Sequence, residues 1–238
     1  MEEGDAATAS VVIGAMADGI CNAPDPMGLT VLITDSTQGM TQSWETVAGD
    51  LGYSYSVVPL NHLESTAFYG TADVLVVSSG TDVYNTAIAS NVQGFIESGG
   101  SVYFQSEYDC SYTSNQYVEE MVTNLGGSLS WNGVIAGDLN PTPISSCMVE
   151  KPDGSIIPPL SYFWYGCESQ STDPNYEALV TYNGSDLGFT SCFNDPSFGM
   201  LISTSDQDWV RNTSNYTSAW DLMAQILRRL GSAPASCP

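Results

Sequence analysis

The sequence predicts an α/β fold built on a mainly parallel sheet, and two observations carry that prediction. Short apolar runs alternate with helical patterns over the first half of the chain. The apolar runs are also too continuous for strands with one wet face, which is how strands covered by helices on both sides read. Leu29 to Ile33 is the first strand and Thr41 to Leu51 the helix after it. Tyr53 to Val58, closed by Pro59, is the second strand, and Asp73 to Val77 the third. A helix over Asn85 to Glu97 ends on Ser98-Gly99-Gly100, where glycine supplies left-handed backbone angles. Ser101 to Gln105 is the fourth strand, followed by a helix from Asn115 to Leu125 that stops at Gly126-Gly127. Parallel strands joined this way require right-handed crossovers.

After residue 127 the alternation fails. Residues 128–171 are rich in proline, glycine and aromatics, and read as an irregular insertion clamped by Cys147 and Cys167. Tyr176 to Tyr182 and Ser185 to Ser191 flank Asn183-Gly184, the strongest short-range hairpin signal. Phe198 to Ser203 is the last strand. Ser218 to Leu230 is an amphipathic helix, with Arg228 and Arg229 in its last turn where they complement the helix dipole. Residues 1–28 read as an N-terminal arm, and residues 28–238 as a single domain. Within the arm, Val11, Val12 and Ile13 belong to a β-prone patch suited to strand addition on a neighbouring subunit, which would make a homo-oligomer.

Composition narrows the partners. Four Lys and Arg against 27 Asp and Glu give a net charge of −23, although only 13% of the 238 residues are charged. Such a chain repels phosphate backbones and anionic lipid, which argues against nucleic acid and membrane surfaces as partners and leaves cations, glycans or other protein subunits. No run reaches the length of a membrane span. The N-terminus is acidic, and Val11 to Ile20 is short and interrupted by Asp18, so an exported protein would be represented here by a mature form or an excised piece.

Six cysteines, Cys21, Cys110, Cys147, Cys167, Cys192 and Cys237, are dispersed without a Cys-x-x-Cys pair, and His62 is the single histidine. This pattern suits disulfides in an extracellular or cell-surface setting better than zinc; buried free thiols are the alternative. Asn183, Asn212 and Asn215 match the glycosylation acceptor pattern, as chance alone would supply in a chain rich in Asn, Ser and Thr.

Loops after the parallel strands bring Asp35, Ser79, Asp82, Gln105, Ser106, Glu107, Asp206 and Asp208 toward one rim, the ligand side of an open α/β sheet. Two readings of the carboxylates stay open: an oxygen-ligand site for Ca²⁺, or helix caps and tight turns. Ser106 beside Glu107 invites a hydrolase reading, but Phe104-Gln-Ser-Glu-Tyr108 lacks the glycines of a nucleophile elbow and His62 follows an expected edge strand. Trp164 and Tyr165, with Trp131 and Tyr112 near them, either stack on sugar rings or plug the insertion.

Val31-Leu-Ile-Thr-Asp35, Asp73-Val-Leu-Val-Val-Ser-Ser-Gly80, Phe95 to Gln105, Ala178 to Gly184 and Gly199 to Asp206 together resemble the class I glutamine amidotransferase-like superfamily. They are most similar to its non-enzymatic relatives in gliding-motility, intraflagellar-transport and trehalose-utilisation-like proteins. The resemblance implies a flavodoxin-like three-layer sandwich with a β-hairpin excursion before the last core strand. It also implies a catalytic cysteine after the fourth strand, with a histidine and glutamate after the last. Here Gln105 or Ser106 stands at the first place and Asp206-Gln-Asp208 at the second, which supply neither thiolate nor imidazole. The expectation is therefore a non-catalytic surface module that assembles or adheres, with a glycan-binding module and a degenerate serine hydrolase as alternatives.

Overall fold

The computed structural model describes residues 27–36, 40–82, 84–144, 148–151, 153–161, 163–211 and 217–232. The expected arm with Val11, Val12 and Ile13, the acceptors Asn212 and Asn215, and Cys21, Cys147 and Cys237 lie outside the described residues.

Strand β1 (Thr30–Thr34), helix α1 (Met40–Asp50), β2 (Ser54–Val58), β3 (Val74–Val77), α2 (Thr86–Glu97), β4 (Ser101–Gln105) and α3 (Thr113–Asn124) follow the expected alternation. Next come β5 (Ser130–Leu139), the short β6 (Thr142–Pro143), β7 (Phe163–Gln170), β8 (Tyr176–Tyr182), β9 (Ser185–Ser191) and β10 (Leu201–Thr204). The one-turn α4 (Asp208–Arg211) and the long α5 (Thr217–Ser232) complete the order. The main sheet runs β2-β1-β3-β4-β10-β9-β8-β6. Its first five strands are parallel, and β9, β8 and β6 continue it antiparallel. The flavodoxin-like sandwich and its hairpin excursion are both present.

Why these segments form this sheet is visible in its two faces. Val31, Ile33, Val74, Val76 and Tyr103 point to one side and pack with Trp44 of α1, Trp209 of α4 and the apolar stripe of α5. Their strand neighbours Leu32, Leu75, Val77, Val102 and Phe104 point to the other and pack with Ile88, Val92 and Ile96 of α2 and Val118 and Val122 of α3. Alternation along a strand thus fills two cores at once, and each large buried side chain contributes about 1.5–3 kcal/mol. The edge strand β2 is the exception, with Tyr55 and Val57 exposed.

The turn at Asn183-Gly184 has positive φ at both positions, 52° and 88°, as a two-residue hairpin between β8 and β9 demands.

Residues 128–171 depart from expectation. They are not irregular throughout: β5 and β7 pair antiparallel as a separate two-stranded ribbon, and β6 joins the edge of the main sheet. Bulges between Trp131 and Gly133 and between Ala136 and Leu139 break the alternation of β5, which hides the strand from a period-two reading. The expected clamp also differs, because Cys167 is bonded to Cys110, just beyond β4. The ribbon is therefore fastened to the carboxyl-end rim of the sheet. Cys192 is disulfide-bonded as well.

Candidate functional site

Parallel strands in register deliver four loops to one edge, and those after β3, β4 and β10 interlock. Gly80 lies so close to the chain after β4 that a Cβ there would sit 2.5 Å from the Ser106 carbonyl oxygen. The Gly80 N–H donates to Gln207 Oε1 at 3.2 Å, and Ser114 Oγ donates to the Gly80 carbonyl at 2.8 Å. After β4, Asn115 holds the turn: its amide donates to the Glu107 carbonyl and its oxygen accepts the Glu107 N–H, both at 2.8 Å. Gln207, Asn115 and Ser114 carry no signal of this role in the sequence, since their partners are distant along the chain or belong to the main chain.

Gln105 and Ser106 occupy the place where the resemblance puts a nucleophile, and both are fully buried. The Gln105 amide donates to the Ser106 carbonyl at 2.7 Å and to the Thr204 carbonyl at 2.8 Å, while Tyr103 OH donates to Gln105 Oε1 at 2.6 Å. The Ser106 hydroxyl shares a 2.7 Å hydrogen bond with that of Ser203, on the adjacent strand. His62 lies on a short 3₁₀ turn, Leu60–Glu64, after β2, three strands from β4 in the sheet order. A hydrolase centred on Ser106 would need a base beside it. Its immediate hydroxyl partner is a serine.

Asp206 is buried and turned inward. Its Oδ2 accepts the N–H of Trp164 at 2.7 Å and of Tyr165 at 3.3 Å, and its Oδ1 accepts the N–H of Asp208 at 2.7 Å. Burial pushes its carboxyl up to about 7, with Asp208 adding in the same direction, against the three backbone donors. Asp206 thus anchors the start of β7 and caps the first turn of α4. Asp82 is raised by burial and by Asp35, and offset by a hydrogen bond from Ser79. Among the described residues no three His, Cys, Asp or Glu side chains converge as a metal set.

The insertion's aromatics divide. Phe163 is buried, whereas Trp164 and Tyr165 are 49% and 43% exposed. Tyr165 packs on Tyr108 at a centroid distance of 5.4 Å, and Tyr108 meets Tyr112 edge-on at 5.9 Å. Trp131, expected in this group, instead packs on Phe189 and donates to the Asn115 carbonyl at 2.8 Å. Its place beside Tyr165 is taken by Tyr108, which in the sequence reads only as part of a loop.

Against known proteins, no family model matches the chain and no curated protein is similar to it in sequence. Solved structures share its fold. The mmIFT52 N-terminal domain is 8% identical with a TM-score of 0.61, over 86% of this chain and 98% of that one. A GMP synthase subunit from Thermoplasma acidophilum is 14% identical at 0.54, over 86% and 95%. A ThuA-like protein from Bacteroides uniformis is 11% identical at 0.50, over 91% and 96%. The protein therefore has the class I glutamine amidotransferase-like fold.

Proposed function

We propose that this chain is a non-catalytic interaction module of an extracellular or cell-surface protein. The observation that carries the reading is the closed rim. Gln105 and Ser106, at the nucleophile position, spend their side chains on buried hydrogen bonds to the Ser106 carbonyl, Thr204 and Ser203, so neither is presented to a substrate as a nucleophile. The disulfide Cys110–Cys167 and the bonded Cys192 support an oxidising compartment.

The partner in this reading is protein: other subunits, including further copies of the chain joined through residues 1–20. Incubation with glutamine or a p-nitrophenyl ester is expected to give no turnover. Turnover that disappears in Ser106→Ala would overturn the reading. Light scattering before and after deletion of residues 1–20 tests self-assembly, and an unchanged monomer in both would remove it. A glycan-binding module is the second reading, favoured by the exposure of Trp164 and Tyr165.

A further inference from the structure

Exposed Tyr108 and Tyr165, with the half-buried Tyr112 beside them, form a built surface. Tyr108 stands two residues before Cys110 and Tyr165 two residues before Cys167, and the Cys110–Cys167 bond holds the two backbones with Cα atoms 5.3 Å apart. The rings therefore meet because the loop after β4 runs beside β7, and Asp206 fixes β7 from below by accepting the Trp164 and Tyr165 N–H groups.

The surroundings are negative. Burial pushes the Tyr112 hydroxyl up, and Tyr108, Glu107 and Asp109 add to it; Glu107 is itself buried and accepts the Tyr108 N–H at 2.9 Å. Hydrogen bonds from Ser111 hold the Asp109 carboxyl below its usual range, so it is ionised at neutral pH. Of the chain's four cations, Lys151 pairs with Asp221, Arg211 ends α4, and Arg228 and Arg229 lie in the last two turns of α5. Ring faces attract cations through their quadrupole, and a guanidinium both stacks on tyrosine and forks onto carboxylate.

We propose that this platform docks an arginine-bearing segment of a partner protein. Charge complementarity decides the occupant: a chain of net charge −23 repels its own copies at this face and favours a basic segment over a neutral glycan. The proposal rests on the interaction-module reading and names its partner's chemistry.

The test is calorimetric titration of the full chain with a hexa-arginine peptide at physiological salt, alongside hexalysine and a neutral hexasaccharide. Arginine peptide is expected to bind more tightly than lysine peptide, with no binding of the saccharide. Tyr108→Ala and Tyr165→Ala leave net charge unchanged and are each expected to weaken binding roughly three- to tenfold. Tyr165→Leu, which removes the ring but keeps apolar bulk, serves as a third variant should either alanine change perturb folding, which circular dichroism checks. Equal affinity in wild type and all three variants would mean attraction to the whole acidic surface and would overturn the proposal. So would absence of peptide binding, or Tyr165-dependent binding of the saccharide alone. Turnover assays are unaffected by any of these results, so failure of the docking proposal is distinguishable from failure of the non-catalytic reading.

Discussion

Tyr108 and Tyr165 pack ring to ring at 5.4 Å although 57 residues separate the two cysteines that follow them at the same spacing. The contact is a consequence of the covalent link between the loop after β4 and the ribbon strand β7. Replacing both cysteines, Cys110→Ala with Cys167→Ala, is expected to cost about 2–4 kcal/mol, since the bond closes a long loop in the unfolded chain. It should also reduce the tyrosine signal in near-ultraviolet circular dichroism. An unchanged melting midpoint with an unchanged spectrum would show that packing alone holds the ribbon. In the unsubstituted chain, alkylation with and without reductant should reveal at least two bridges by mass.

Asp206 gives the fold a pH dependence of unusual sign. Its folded pKa, about 7, lies above the value of an exposed aspartate, so between about 4 and 7 the folded state holds a proton that the unfolded chain releases. The stability this contributes is fully present at low pH and is lost as pH rises through 7, on the order of 4 kcal/mol in total. Asp109, Asp153 and Asp195, held low by Ser111, Ser155 and Ser197, act in the opposite direction, so the comparison must be made between variants. Asp206→Asn is expected to remove the decline between pH 4 and 7 in urea unfolding. Parallel profiles for the two proteins would sink the assignment.

The sequence makes the layered core legible because local pattern and tertiary role agree there. Val74 to Val77 reads as a buried strand and is one, and Asn183-Gly184 reads as a hairpin turn and is one. The ribbon was illegible for a physical reason: Gly137 at φ 131° and the two bulges of β5 disrupt the only signal a strand gives. The rim was half legible. Its loops could be placed by counting strands, but the pairings Gly80 with Gln207 and Asp206 with Trp164 span 127 and 42 residues, and no local periodicity encodes them. The Cys110–Cys167 pairing is hidden in the same way, because six dispersed cysteines allow about fifteen complete schemes and spacing does not choose among them.

Ser106 and Ser203 form a buried hydroxyl pair whose removal should be strongly non-additive. Ser106→Ala alone leaves the Ser203 hydroxyl in a dry interior without this partner, and is expected to cost about 1–3 kcal/mol. Ser203→Ala should cost a similar amount. The double variant removes both polar groups together and is expected to cost less than the sum by about 1 kcal/mol or more. Strict additivity in chemical denaturation would mean that the two hydroxyls do not depend on each other.

Three glycines separate backbone crowding from backbone freedom. At Gly199 a Cβ would lie 1.9 Å from the Gly100 carbonyl oxygen, and at Gly80 2.5 Å from that of Ser106; both obstacles are main chain. Neither can swing aside as a side chain would, because Gly100 leads into β4 and Ser106 leaves it, with the Ser106 N–H bonded to the Thr204 carbonyl at 3.0 Å. Gly80→Ala and Gly199→Ala are therefore expected to destabilise by at least about 1–3 kcal/mol, the usual range for forcing atoms into a packed region. Gly94 is the control: it lies within α2, and a Cβ there meets nothing within 4 Å. Gly94→Ala should stabilise by about 0.5–1 kcal/mol through helix propensity. Thermal melts of the three variants give the order directly. If Gly80→Ala melts with Gly94→Ala, above the parent, then the close approach of the β3 and β4 loops, on which the closed rim depends, is wrong.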